Sequence, residues 1–191
     1  INICLKRGQL GLHRHFKRSK FLFLLQFSAF YSHFNLCIHL SFMLRCLSRA
    51  QTLAELRERI PEALEVIRAS RRHLHEGHAT VEELAVTKSL SQAPQTHRHK
   101  TLSMIAAQEL LARGVSLQAG DSIQYILTDT KAAYPPDRVR AVAGLDGTWS
   151  YDRAAYDALL CKAALAVLSP LGITSADLDD GSDRLSYKIR S

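Results

Sequence analysis

The chain has 191 residues and a formal net charge of +7, from 25 Lys or Arg against 18 Asp or Glu. The excess is uneven: residues 1–50 hold eight basic and no acidic residues, while residues 51–191 hold seventeen basic and eighteen acidic ones. A near-neutral later part argues against a domain that holds nucleic acid by bulk charge, and cysteines at 4, 37, 46 and 161 without C-x-x-C spacing argue against a zinc ribbon or a disulfide framework.

Residues 1–50 form a basic and aromatic N-terminal segment that carries all seven phenylalanines. Between 21 and 44 there is no charged residue, and Lys6, Arg7, Arg14, Lys17, Arg18 and Lys20 precede this run. Its length and basic flank would suit a membrane span. Gln26, Ser28, Ser32, His33, Asn35, His39 and Ser41 interrupt it, however, and suit neither a clean span nor a packed core. Three readings stay open: non-native translated sequence, a signal-like or membrane segment, or a peripheral helix. The expectation is that residues 21–44 make no specific contact with the globular part of the chain.

From 52 to 76, Leu53, Leu56, Ile60, Leu64, Ile67 and Leu74 form the single stripe of an amphipathic helix. Thr52 followed by Glu55 predicts a capping box, and Pro61 predicts two helices or a kink. The basic run Arg68, Arg71, Arg72, His73, His75 and His78 fits either a phosphate track or the solvated end of a helix. His73 and His75 lie two apart and would point to different sides of a helix, so they do not form a metal site.

Residues 84–127 carry most of the functional information. Leu84, Val86 and Leu90 read as a short extended piece that Pro94 ends. A helix over 101–113 has Thr101 or Ser103 as its cap, Ile105, Leu110 and Leu111 on its apolar face, and Gly114 past its last turn. Ahead of it lie His97, Arg98, His99 and Lys100, so cations and unpaired backbone N–H groups would face the same way, an arrangement that receives phosphate. After Gly120 and Asp121, the alternation of Ile123, Tyr125 and Leu127 with Ser122, Gln124 and Thr128 predicts a strand.

Residues 130–150 read as loop, with Pro135, Pro136 and a turn at Asp146-Gly147. Tyr156, Leu159, Leu160, Ala163, Ala164, Val167 and Leu168 predict a helix from 151 that Pro170 and Gly172 stop. Tyr151 and Tyr156 are expected to pack against a neighbouring helix rather than stack on bases. Residues 179–191 read as a flexible tail. The expected fold is therefore mainly α with a small antiparallel β pair near 84–88 and 122–127, and the helix over 101–113 should pack against the C-terminal helix at Leu159, Ala163 and Val167.

The order of these parts resembles the thumb of family B DNA-directed DNA polymerases. The first block matches at Glu76-Gly77, Leu84, Val86, Lys88-Ser89-Leu90, Ala106-Ala107, Leu110, Gly114, Gly120-Asp121, Ile123 and Tyr125-Ile126. The second matches at Tyr151-Asp152, Tyr156, Ala163-Ala164, Leu168, Pro170 and Gly172. Together they cover about residues 55 to 178, and the resemblance implies a thumb-like domain over 51–178. At the position of the family's tyrosine in the basic loop stands His97, and Leu171-Gly172 replaces the closing Phe-Gly.

The resemblance implies a role in gripping primer–template duplex DNA through the sugar–phosphate backbone, inside the cell with DNA in cytoplasm or nucleoid, with the remainder of the polymerase as a second partner and no membrane. The implied DNA-binding residues are Lys88, His97, Arg98, His99, Lys100, Thr101 and Ser103. Two-metal phosphoryl transfer needs converging carboxylates. No catalytic residue is assigned, because Asp129-Thr130-Lys131 has lysine where the family's Asp-Thr-Asp has its second aspartate. The chain alone would be inactive, needing no cofactor of its own, and Mg2+ would belong to the missing palm. Two other readings stand beside this one: a membrane-tethered helical protein anchored by residues 21–44, and a helical interaction module with no nucleic-acid role.

Overall fold

A computed structural model describes residues 37–94 and 101–179, with side chains from residue 40 onward in the first of these stretches. The elements in order are α1 (Cys37–Ser48), α2 (Leu53–Glu58), α3 (Ile60–Glu76), α4 (Val81–Leu84), β1 (Val86–Ser89), α5 (Leu102–Ala112), β2 (Ser122–Leu127), β3 (Val139–Ala141), α6 (Arg153–Leu168) and α7 (Ser175–Asp179), with short 3-10 turns at Pro135–Arg138, Val142–Gly144 and Ser169–Leu171. The fold is mainly helical with a small antiparallel sheet.

The break at Pro61 has the expected form. Arg59 separates α2 from α3 and Pro61 stands in the first turn of α3, where a missing N–H removes no intrahelical bond. Thr52 caps α2 by accepting from Glu55 N at 3.2 Å, but the Glu55 carboxylate reaches one residue further back than a capping box requires, to Gln51 N at 2.8 Å. The full reciprocal box occurs at α4, between Thr80 and Glu83.

Helix α3 buries Ile60, Ala63, Leu64, Ile67 and Leu74 along the stripe its spacing implied. α1 and α6 both pack against α3, and α7 meets its C-terminal half through Arg68 and Arg71. Gly77 ends it with φ 87°, a conformation that side chains rarely adopt, and a Cβ there would also lie 2.8 Å from Arg153 Nη2. The last carbonyls of α3 are satisfied from α6 and the residues before it: Tyr151 Oη donates to Leu74 O at 2.7 Å and Arg153 Nη1 to His75 O at 2.8 Å.

The sheet has the order β1-β2-β3, all antiparallel, with Val86 opposite Tyr125, Lys88 opposite Ile123, and Ile126 opposite Arg140. β3 is a correction to the reading of residues 130–150 as loop. Its Val139 and Ala141 are fully buried and Arg140 between them is not, a period-2 signal too short to stand out beside two prolines and a glycine. α5 corrects a second expectation. It packs mainly on β2 and β3 and the adjoining 3-10 turns, rather than on α6, whose principal partner is α3. Ile105 and Leu110 are thus buried against the sheet.

Tyr156 ties the helical layer to the sheet. It is completely buried, accepts a hydrogen bond from Leu127 N at 2.9 Å and donates one to Leu84 O at 2.8 Å. Burial pushes its phenol pKa well above the ordinary tyrosine value. Tyr151 packs edge-on to it at 6.0 Å between ring centroids, so both tyrosines are structural, as expected.

The N-terminal segment brings the third correction. Leu40, Met43, Leu47 and Ala50 are between 0% and 6% exposed and belong to the same core as α3. Residues 40–44 therefore do contact the body of the fold. Their 3-4 spacing was hidden in a longer charge-free run whose serines and histidines obscured the period.

Candidate nucleic-acid interface

Lys88 lies exposed in β1, opposite Ile123, and makes no ion pair among the described residues. By register it shares a face with Val86, Ile123 and Tyr125, but those three are buried. On the other face of the same ribbon, Ser89 Oγ and Ser122 Oγ are 3.1 Å apart and Gln124 Nε2 donates to Thr87 Oγ1 at 3.3 Å. This gives a short ladder of neutral donors and acceptors in water, of the kind that can meet a sugar–phosphate backbone.

Beyond β1 the chain runs through Leu90, whose N and O bond to Asp121 O at 2.8 Å and Gly120 N at 2.7 Å, into the connection that leads to α5. His97, Arg98, His99 and Lys100 lie in this connection and outside the described residues. Thr101, directly after them, is the N-cap of α5: its hydroxyl accepts from Met104 N at 3.3 Å and lies 3.1 Å from Ser103 Oγ. Of the two candidate caps the sequence offered, Thr101 serves. Its oxygen is already engaged, so toward an outside anion it has its hydroxyl proton and the N-terminal backbone of the helix to offer. Of the candidate residues, those described are Lys88, which precedes the connection, and Thr101 and Ser103, which follow it.

The second basic stretch, residues 68–78, takes a different form. Arg71 forms a two-pronged pair with Asp157, at 2.7 Å and 3.0 Å, and its third nitrogen reaches Asp179 Oδ1 at 2.6 Å and Leu178 O at 3.0 Å. The hydrogen bond to Asp157 is the main reason its guanidinium is held protonated even more firmly than usual. Arg68 donates to Asp177 O at 2.8 Å, Arg72 to Glu65 Oε1 at 2.7 Å, and His73 sits 3.2 Å from Glu83 Oε2. Arg71 and Arg68 therefore tie α3 to α6 and α7, while Arg72 pairs within α3 and His73 with α4, and at Arg71 a phosphate would have to displace carboxylates already in place.

Sequence reading missed one polar node altogether. Glu109 on α5 accepts from Arg113 Nη2 and Arg140 Nε, each at 3.1 Å, and from Ala141 N at 2.8 Å, so it satisfies a backbone group on the edge strand β3. Arg113 also donates to Gly144 O at 2.9 Å, and a Cβ on Gly144 would lie 2.8 Å from Glu109 Oε1. Arg113 at i+4 from Glu109 was legible as a helical pair. Arg140 was not, because it approaches through a strand that had not been recognised.

No protein-family model matches the chain, and no curated protein matches it in sequence. Among solved structures it is similar to the family B DNA polymerase from the hyperthermophilic archaeon Pyrobaculum calidifontis, with a TM-score of 0.60 and 18% identity. The match covers 74% of this chain and 18% of that one, so the likeness is one of fold and the chain spans less than a fifth of that polymerase's length.

Proposed function

We propose that this chain is the thumb portion of a family B DNA-directed DNA polymerase and grips primer–template duplex DNA through backbone contacts, as part of DNA synthesis inside the cell. The observation that carries the reading is the fold likeness to such a polymerase over 74% of the chain, beside residues 55–178, whose pattern resembles the family's thumb. Lys88, the four basic residues from His97 to Lys100, Thr101 and Ser103 hold the DNA. Lys88 and the α5 N-terminus flank the basic connection, whereas the cations of residues 68–78 are spent on carboxylates. Catalysis comes from the remainder of the polymerase, which supplies the metal-binding carboxylates.

The test is a salt titration of duplex binding by the full 191-residue chain, because Leu47 and Ala50 are core residues and a chain begun at position 50 would lose the first of them with the rest of α1. If Arg98 and Lys100 each neutralise one phosphate, changing both to Ala makes the log–log slope shallower by about 1.8, from roughly −0.9 per phosphate. The basic residues 1–50 remain in both proteins, so the difference between the slopes is the readout. An unchanged slope removes the connection from the DNA-binding surface.

A further inference from the structure

The outer stripe of α1 lies apart from the proposed duplex-binding residues, and only Cys46 in it packs partly against the core. While Leu40, Met43 and Leu47 face the core, Phe42, Arg45, Cys46 and Arg49 follow one another at helical spacing on the other side. Phe42 is 51% exposed, one of four large apolar side chains left in water among the described residues. Arg45 and Arg49 are exposed and have no carboxylate partner among the described residues. The stripe forms one wall of a groove of about 510 Å3 whose floor includes Val66 and Ala69 of α3. Glu62 also lines it, but is countered by Arg59 at 3.7 Å.

We propose that this groove binds single-stranded nucleic acid, with one base stacked on Phe42 and neighbouring phosphates held by Arg45 and Arg49. An exposed aromatic face beside unpaired cations is the combination that grips unpaired strands without regard to sequence. Arginines one turn apart on a helix stand about 6 Å apart, close to the spacing of successive phosphates. A protein helix is the poorer fit. Besides Phe42 and its small aliphatic floor the groove presents arginines, a carboxylate, a serine and a histidine, too polar a surface for ridges packed into grooves. A duplex is excluded because its bases are stacked on one another and cannot offer a free face to Phe42. The site lies on a different part of the fold from Lys88 and Thr101, and stands whether or not the chain serves a polymerase.

Fluorescein-labelled oligo(dT) of about twelve nucleotides, within the span one such site covers, and the full chain test it by anisotropy. Phe42→Ala is expected to weaken binding about five- to 150-fold, the range for losing one stacked base. Phe42→Trp should preserve binding and show quenching of the new indole. Arg45→Gln with Arg49→Gln should make the salt slope shallower by about 1.4, from roughly −0.7 per phosphate of a single strand. Saturating oligonucleotide should slow alkylation of Cys46 in the groove while leaving Cys161 on α6 unchanged. The proposal is overturned if Phe42→Ala and the double arginine variant bind as the parent does, or if Cys46 reacts at the same rate with and without oligonucleotide. Duplex binding that depends equally on Phe42 overturns it too, as does Phe42-dependent competition by poly-glutamate, which would assign the groove to an acidic polypeptide.

Discussion

Residues 68–78 and the stretch from Lys88 to Thr101 are both rich in cations, and the cations described in the two stretches are placed in different ways. At the first, each arginine meets an acceptor: Arg71 meets Asp157 and Asp179, Arg72 meets Glu65, and Arg68 meets a carbonyl of α7. At the second, Lys88 has no carboxylate partner among the described residues and the α5 cap faces the same connection. The difference shows that a run of basic residues declares its role by its countercharges. For Arg71 those lie more than eighty positions away in sequence, on α6 and α7. A closed set of charges holds helices together, and an open set is available to a partner.

The comparison can be strained first at its apolar support. α5 presents the open surface, yet it is anchored through Ile105 and Leu110 against the sheet, so Leu110→Ala should cost about 2–5 kcal/mol in a urea titration. The loss should be the same in low salt and in high salt, because no charge is involved. A midpoint that does not move would mean that α5 is held by something other than this contact.

The closed set is tested by Arg71→Gln. Its side chain is 20% exposed and Asp157 is 17% exposed, so the pair is screened less than a surface ion pair and more than a fully buried one. Losing the charged hydrogen bonds should cost about 1–3 kcal/mol, shrinking in high salt, with duplex affinity unchanged. Lys88→Gln should behave in the opposite sense, leaving the urea midpoint within about 0.5 kcal/mol of the parent while weakening duplex binding. If Arg71→Gln weakens DNA binding as much as Lys88→Gln does, the division between closed and open charges is wrong.

Much of the fold was legible in the sequence because its elements carry their own punctuation. Thr101, Gly114 and Gly120 bracket α5 and the start of β2, Pro61 divides α2 from α3, and Gly172 closes the end of α6. What was not legible depends on partners distant in the chain. β3 is three residues long and gains its definition from pairing with β2. The packing of α5 is decided by that same strand, because α5 is apolar nearly all round and its sequence favours no single face. Of the candidate residues, the strand position of Lys88 and the capping role of Thr101 were readable, whereas the neutralisation of Arg71 required knowing that α6 lies beside α3.

The smallest expected effect lies where the two halves join. Asp152 caps α6 by accepting from Ala155 N at 2.9 Å, and its other oxygen accepts from Thr130 N at 2.9 Å and Thr130 Oγ1 at 2.6 Å, pinning the chain that leaves β2. Burial pushes its pKa upward, but the bonds from Thr130 and Ala155 outweigh burial and hold the carboxyl below its ordinary value. A carboxyl depressed in the folded state contributes stability that is fully present above the unfolded value of about 3.9 and is lost as pH falls through the lower, folded value. Asp152→Asn retains a capping oxygen but no charge, so at about pH 7 it should be modestly less stable than the parent. The gap should persist down to about pH 5 and close below about pH 4, where the parent's carboxylate takes up its proton. Urea midpoints of both proteins, taken from about pH 7 down to about pH 3, measure this. A gap that stays constant to the acid end of that range would show that Asp152 acts only through its shape as a cap and that its charge has no part in joining the sheet to the helical layer.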